Sequence, residues 1–219
     1  MQKIFTIAIA GILSFASQAM ATPIAGLGLP TDDINLSGGT VIDFEGGPVN
    51  APSLSLSGVT FTSYRNIVVD TVFAGNLNTR GQYYLNNFLP DGQLQPPAQD
   101  KLEMWFRFDF ENSTDAFGFL LGASDMNWTL SAFDTNGLLE DMTILPVQSS
   151  NDGDYFGIAH QGISYAILSA TIEIPGIVID DYVFIDNFTY RNARQVPEPA
   201  PLALLGLGLI GLGLLKRRK

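Results

Sequence analysis

The chain has 219 residues, with 22 acidic and 11 basic side chains, one histidine and no cysteine. A net charge of −11 argues against a nucleic-acid partner. The missing thiols exclude disulfides and thiol catalysis, and a lone histidine excludes multi-histidine zinc sites.

At the N-terminus, Lys3 precedes an uncharged apolar stretch over residues 4–15, and Ala19-Met20-Ala21 follows. A charged start, a short apolar segment and a small-x-small site predict a secretory signal peptide over residues 1–21, cut between Ala21 and Thr22. Its readers would be the Sec translocon and signal peptidase. Twelve apolar residues are too few for a permanent anchor.

Residues 22–195 form the predicted exported body, 174 residues long, enough for one domain that buries about 70% of its chain's surface. It carries 21 acidic against 6 basic side chains, leaving −15. Neutral sugars, cations or a hydrated polymer matrix fit such a surface better than other anions do. Residues 22–37 and the Pro-rich residues 89–99 read as loops. Residues 40–45 alternate apolar and polar up to Gly46-Gly47-Pro48, a strand with a hard stop.

The clearest period of two lies at residues 102–111. Leu102, Met104, Phe106, Phe108 and Phe110 point to one face; Glu103, Trp105, Arg107, Asp109 and Glu111 point to the other. Residues 116–121, 128–133, 138–145, 155–159, 163–174 and 182–190 supply further strands, with Asp134-Thr135-Asn136-Gly137 as a hairpin turn. Turns about every ten residues, and no long helical period, predict an all-β fold: an antiparallel, jelly-roll-like β-sandwich.

Few residues in the body point to chemistry. The first strand ends Asp43-Phe44-Glu45 and the last contains Asp186-Asn187-Phe188, a pairing that resembles jelly-roll carbohydrate-binding modules. The resemblance implies a structural Ca²⁺ held by Glu45 and Asp186, with loop carbonyls completing its oxygen shell. The plainer alternative is two outward-facing strand carboxylates. Asn151-Asp152-Gly153-Asp154 reads as a turn or as a second cation loop.

Sugar recognition calls for exposed aromatic faces. Trp105, opposite the Met/Phe face of its strand, is the leading candidate, with Tyr83, Tyr84 and Trp128 behind it; large aromatics in a sandwich are more often core. His160 reads as a solvated strand-end or turn residue. There is no Gly-x-Ser-x-Gly elbow, and catalytic residues are not assigned.

The C-terminal 24 residues carry most information. Val196, Pro197, Glu198 and Pro199 open a stiff, extended motif, because each proline fixes φ and removes a donor. Residues 202–215 then hold eight leucines and no charge, and Lys216, Arg217, Arg218 and Lys219 close the chain. Fourteen residues give about 21 Å of helix, short for a span of about 30 Å; local thinning and snorkelling of the basic stems would meet the deficit. The four cations act as a stop-transfer signal and stay cytoplasmic by the positive-inside rule.

Motif, Leu/Gly helix and basic cluster, together over residues 196–219, resemble the PEP-CTERM sorting signal of exosortase substrates; Pro201 stands where members often have threonine. The resemblance implies an exosortase partner and a Gram-negative envelope. The precursor would be held transiently in the inner membrane, and the tail removed on the way to the cell surface or extracellular matrix. Three functions compete. The first is a non-enzymatic structural or carbohydrate-associating protein, with exopolysaccharide as partner. The second is a secreted polysaccharide hydrolase using a carboxylate pair. The third is an ice-binding protein, a label such tails also carry, although Thr60-Phe61-Thr62 is the only Thr-x-Thr in the body.

Overall fold

The alternation at residues 102–111 becomes the first half of a 20-residue strand, β6 (Glu103–Gly122), in a computed structural model that describes residues 21–87, 103–148, 150–171 and 181–192. Outside the described residues lie residues 1–20, the predicted loop 89–99, Leu102, the end of the predicted strand 163–174, and the whole C-terminal motif, helix and basic tail. Everything described is strand, turn or a single 3₁₀ turn. Among the described residues no helix is long and apolar enough to cross a membrane.

Ten strands lie among the described residues: β1 (Thr22–Leu27), β2 (Thr40–Ile42), β3 (Val49–Leu56), β4 (Val59–Asp70), β5 (Tyr84–Asn86), β6, β7 (Trp128–Phe133), β8 (Leu138–Ile144), β9 (Asp154–Thr171) and β10 (Phe184–Asn192). All pairings are antiparallel. Strand β6 cannot be straight. Phe108 and Phe119 are eleven residues apart, about 36 Å along an extended strand, yet their ring centroids lie 5.5 Å apart. The strand therefore folds over at residues 111–115, where its register with β9 shifts twice.

The extra residue switches the buried side chains from even to odd positions: Met104, Phe106, Phe108 and Phe110 before it, Phe117, Phe119 and Leu121 after it, all in one core. Strand β9 is carried through the same fold-over beside Gly162, whose φ of +86° is glycine's region. Two layers result, a β-sandwich. Layer one is β3-β4-β6-β9-β7-β8, built on the first half of β6 and the second half of β9. Layer two is β2-β10-β6-β9-β1, built on the other halves, and β5 bridges β10 back to β4. Phe188 sits between the layers with Phe61, Phe108 and Phe119 around it at 5.2, 5.0 and 5.8 Å.

The expected loop at residues 22–37 is instead ordered structure. Its first six residues are β1, which pairs with β9 from Thr22↔Ala159 to Leu27↔Asp154, and Pro30–Asp32 form the 3₁₀ turn. The strand signal is weak because Pro23 and Gly26 interrupt it; an edge strand tolerates both, and Gly26 lies against the Tyr155 ring. Likewise β3 contains Pro52 at its own register shift, between Ala51 and Ser53. The predicted strand 40–45 ends early, at Ile42, since Phe44 adopts φ +58°. The hairpin at Asp134 forms as expected, with Asp134 Oδ1 accepting the amides of Asn136 (2.6 Å) and Gly137 (2.9 Å).

Candidate functional site

Two groups of side chains stand out, one on the outer face of layer one and one on layer two, away from the fold-over.

On layer one, every second residue of β6 faces outward beside its cross-strand partners. Arg107 lies between Thr62 of β4 and Ile167 of β9, Asp109 between Thr60 and Tyr165, and Trp105 beside Ser169. Strand β7 extends the rows with Phe133, Ser131 and Thr129. The opposite faces of these strands hold Phe106, Phe108, Ala166 and Leu168, all fully buried, so the rows named first are turned to solvent. Trp105, Tyr165 and Phe133 are each half-buried.

Their arrangement is fixed from within. The rings of Phe133 and Tyr165 stack at 4.6 Å and 6°, and the Arg107 guanidinium lies 3.9 Å from the Tyr165 centroid. Asp109 clamps that guanidinium with three contacts of 2.6–2.9 Å. Those hydrogen bonds, more than the opposing burial, raise the guanidinium's affinity for its proton. Trp105 thus stands on a half-exposed strip of aromatic edges, one fixed cation, one carboxylate and flanking hydroxyls. The sequence offers Trp105 alone; the stack needs residues far apart in the chain, although Tyr165, Ile167 and Ser169 do alternate with Ala166, Leu168 and Ala170.

The other aromatic candidates divide. Trp128 and Tyr84 are fully buried core residues. Trp128 donates its indole N–H to Asp181 at 2.7 Å, and the Tyr84 hydroxyl accepts the Phe73 amide at 3.0 Å. Tyr83 is half-buried and its amide is held by Glu45. His160 lies within β9 at the fold-over, half-buried, and not at a strand end. Asn151, Gly153 and Asp154 form a turn pinned by Asn78, which bonds all three.

On layer two, the strand ends bring Asp43, Glu45 and Asp186 into one electrostatic neighbourhood. Asp186 is 1% exposed; its Oδ2 accepts the Arg80 amide at 2.5 Å and its Oδ1 the Asn187 amide at 2.6 Å. Burial, helped by the charges of Glu45 and Asp43, pushes its pKa up to about 7 against the pull of these amides. Glu45 is exposed, yet its Oε1 accepts the amides of Gln82 (2.6 Å) and Tyr83 (3.1 Å) and occupies the space a side chain at residue 81 would need, which Gly81 leaves open.

Phe44 and Asn187, each next to a carboxylate of the group, both have positive φ, +58° and +45°. The donors are hard oxygens, suited in kind to Ca²⁺. Among the described residues no three such side chains converge on a metal unaided, so carbonyls and water would complete any shell. A separate cleft of about 220 Å³, lined by Phe73, Leu77, Asp125 and Tyr182 among others, is smaller than the usual 300–1,000 Å³ of a ligand pocket.

Comparison with known proteins adds two findings and one blank. The solved structure of TmCBM61 in complex with β-1,4-galactotriose is similar at 15% identity, with a TM-score of 0.31, over 62% of this chain and 89% of that one. No curated protein matches the sequence. The family described as the PEP-CTERM protein-sorting motif matches residues 195–219, all outside the described residues. That motif is an exosortase recognition signal and implies export with processing at a membrane. The chain accordingly carries a PEP-CTERM protein-sorting motif at residues 195–219.

Proposed function

We propose that this chain is a non-enzymatic, carbohydrate-associating protein that an exosortase sorts to the cell surface or an exopolysaccharide matrix. The observation that carries the reading is the outer face of layer one, where Trp105 and the Phe133-Tyr165-Arg107 stack stay half-exposed among Ser and Thr hydroxyls. Sugars are recognised by such mixtures of apolar aromatic surface and fixed polar groups. Signal peptidase frees residue 22, and the apolar segment 202–215 with Lys216–Lys219 holds the precursor in the inner membrane while the motif at Val196–Pro199 is read.

The test uses the exported, processed protein. It should be retarded in gels containing one or more neutral polysaccharides without releasing sugars from them, and its C-terminus by mass spectrometry should fall within residues 196–201. Release of soluble sugars would support the hydrolase alternative. Ice binding is less favoured, because the Arg107–Asp109 pair breaks the hydroxyl rows of the open face; thermal hysteresis in the purified protein would reverse that order.

We further propose that Glu45 and Asp186, with loop carbonyls and water, hold a structural Ca²⁺, which would relieve the crowding of negative charge around Asp186. Micromolar to millimolar Ca²⁺ should then raise the melting temperature of the wild type and leave that of Glu45→Gln unchanged. Equal melting temperatures with Ca²⁺ and with chelator count against the cation.

A further inference from the structure

We propose that the body completes its fold while both membrane segments are still attached, with its fold-over edge turned to the bilayer. This rests on the sorting reading above for the existence of the C-terminal segment, but the argument for geometry comes from strand register. Arg191 of β10 pairs with Ala116 of β6, Ala116 with Ala159 of β9, and Ala159 with Thr22 of β1. The chain's entry and exit therefore lie on one row of layer two, three strand spacings or about 14 Å apart. That is close to the 10–12 Å width of one helix with its side chains.

Both ends also leave in the same direction. Strand β1 begins at this row and β10 ends one residue past it, at Asn192↔Thr114, where β6 and β9 turn over into layer one. The opposite arrangement would strain the tail. Were the exit at the other end of the nine-residue β10, it would lie about 26 Å further off. Residues 193–201, which separate Asn192 from the apolar segment, span at most about 36 Å, so most of that reach would be used and the motif would be drawn out against the body.

A second observation concerns the entry. Ala21, on the signal side of the expected cut, packs against the main core, so the ordered body reaches across the cleavage point. Cleavage is thus no precondition for docking β1. The loop-like precursor, both ends cytoplasmic and the body outside, is compatible with every strand pairing. The open face of layer one, which lies beyond the fold-over, stays free to meet the matrix during tethering.

The chain has no cysteine, so engineered pairs report pairing without interference. Directly opposed antiparallel residues have Cα separations of about 4.5–5.5 Å, within disulfide range. The full-length chain carrying Thr22→Cys with Ala159→Cys would be exported with the normal signal, and again with Ala19→Phe to block the cut. Thr129→Cys with Ser169→Cys, which pair on layer one, reports folding of the body independently of β1.

The expected result is that both disulfides close in the uncut, membrane-bound precursor to within about twofold of their yield in the cut protein. Closure of the layer-one pair alone, or of neither, in the uncut precursor while both close in the cut protein overturns the proposal. Failure of the Thr22–Ala159 pair in the cut protein overturns the register on which it stands. The sorting reading fails by a different sign, a wild-type chain whose C-terminus remains uncut whatever the disulfides do.

Discussion

The outer faces of the two layers are built from the same two long strands and have opposite fates. On layer two, the segment joining β1 to β2 lies over the sheet, and Leu36, fully buried, packs with Ile24, Ala116, Leu120 and Tyr155. The sheet makes room for it with a cross-strand glycine pair, Gly118↔Gly157; a Cβ at residue 118 would meet the Leu36 side chain at 2.8 Å. On layer one nothing described covers the equivalent face, although Trp105, Tyr165, Phe133 and Ile167 stand on it. Aromatic residues clamped by a cation and a carboxylate, and left half-exposed, are the surface that the proposed function gives to a sugar.

Emptying the sealed face has the largest expected effect. Leu36→Ala removes a fully buried side chain over a rigid glycine pair that cannot collapse into the gap, and should cost about 3 kcal/mol in denaturant unfolding. Polysaccharide retardation by the surviving folded protein should not change. A parallel loss of binding would mean that the two faces are one functional unit.

The next effect is a pH dependence centred on Asp186 of layer two. Asp186 in the folded chain holds its proton up to about pH 7, whereas an unfolded aspartate releases it near 3.9. The folded state binds more protons between these values, so stability falls as pH rises: the contribution is complete below about pH 4 and gone above about pH 7. The wild type should lose about 2 kcal/mol between pH 5 and pH 8. Burial also raises the pKa of Asp181, which adds a slope of the same sign. Asp186→Asn, which cannot ionise, should be less stable at pH 5 because one of its two amide partners loses an acceptor, and should show a flatter profile. An unaltered slope in that variant would place the titration elsewhere.

The contrast between the faces was only partly legible in the sequence. Period-two alternation in residues 103–110 announces a core face and an outer face, and Trp105 can be assigned to the outer one from that pattern alone. The fold-over of β6 leaves no comparable trace. Residues 111–115 are polar, as in a turn, yet the strand runs through them, and the change from even to odd buried positions appears only if one assumes that Phe110 and Phe117 share a core. The cover over layer two was missed for a related reason. Residues 22–37 are rich in Gly, Pro and Asp, and no local pattern marks Leu36 as a plug whose socket is made of glycines more than eighty residues away.

Glu45 and Asp186 could be paired in advance through the resemblance to jelly-roll carbohydrate-binding modules, although Glu45 lies just past the end of β2 and not in a strand. Their role as acceptors for the amides of Arg80, Gln82, Tyr83 and Asn187 depends on a loop between β4 and β5 that has no such signature.

Truncating the open face should separate binding from stability. Trp105→Ala and Tyr165→Ala each remove a half-exposed ring, and each should weaken retention in a polysaccharide gel about tenfold, or roughly 1.4 kcal/mol, with thermal stability changed by less than that. Equal losses of stability and retention would assign the stack to the core instead.

The smallest effect is the most discriminating, because it alters geometry and keeps charge. Arg107 holds Asp109 with a planar fork while lying flat over Tyr165, and lysine can do neither well, being a compact point charge on a flexible stem. The Arg107–Asp109 pair is a little over one-third exposed on each side, so its ion-pair energy is largely screened and Arg107→Lys should change stability by no more than about 0.5 kcal/mol. Retention should nonetheless drop about threefold, since an untethered Tyr165 ring and an unclamped Asp109 must be ordered again each time a sugar docks. If Arg107→Lys binds like the wild type while Tyr165→Ala does not, the ring alone carries recognition and the guanidinium serves only to fill the face. If both bind like the wild type, the open face is simply uncovered, and its difference from the sealed one is a matter of packing rather than of function.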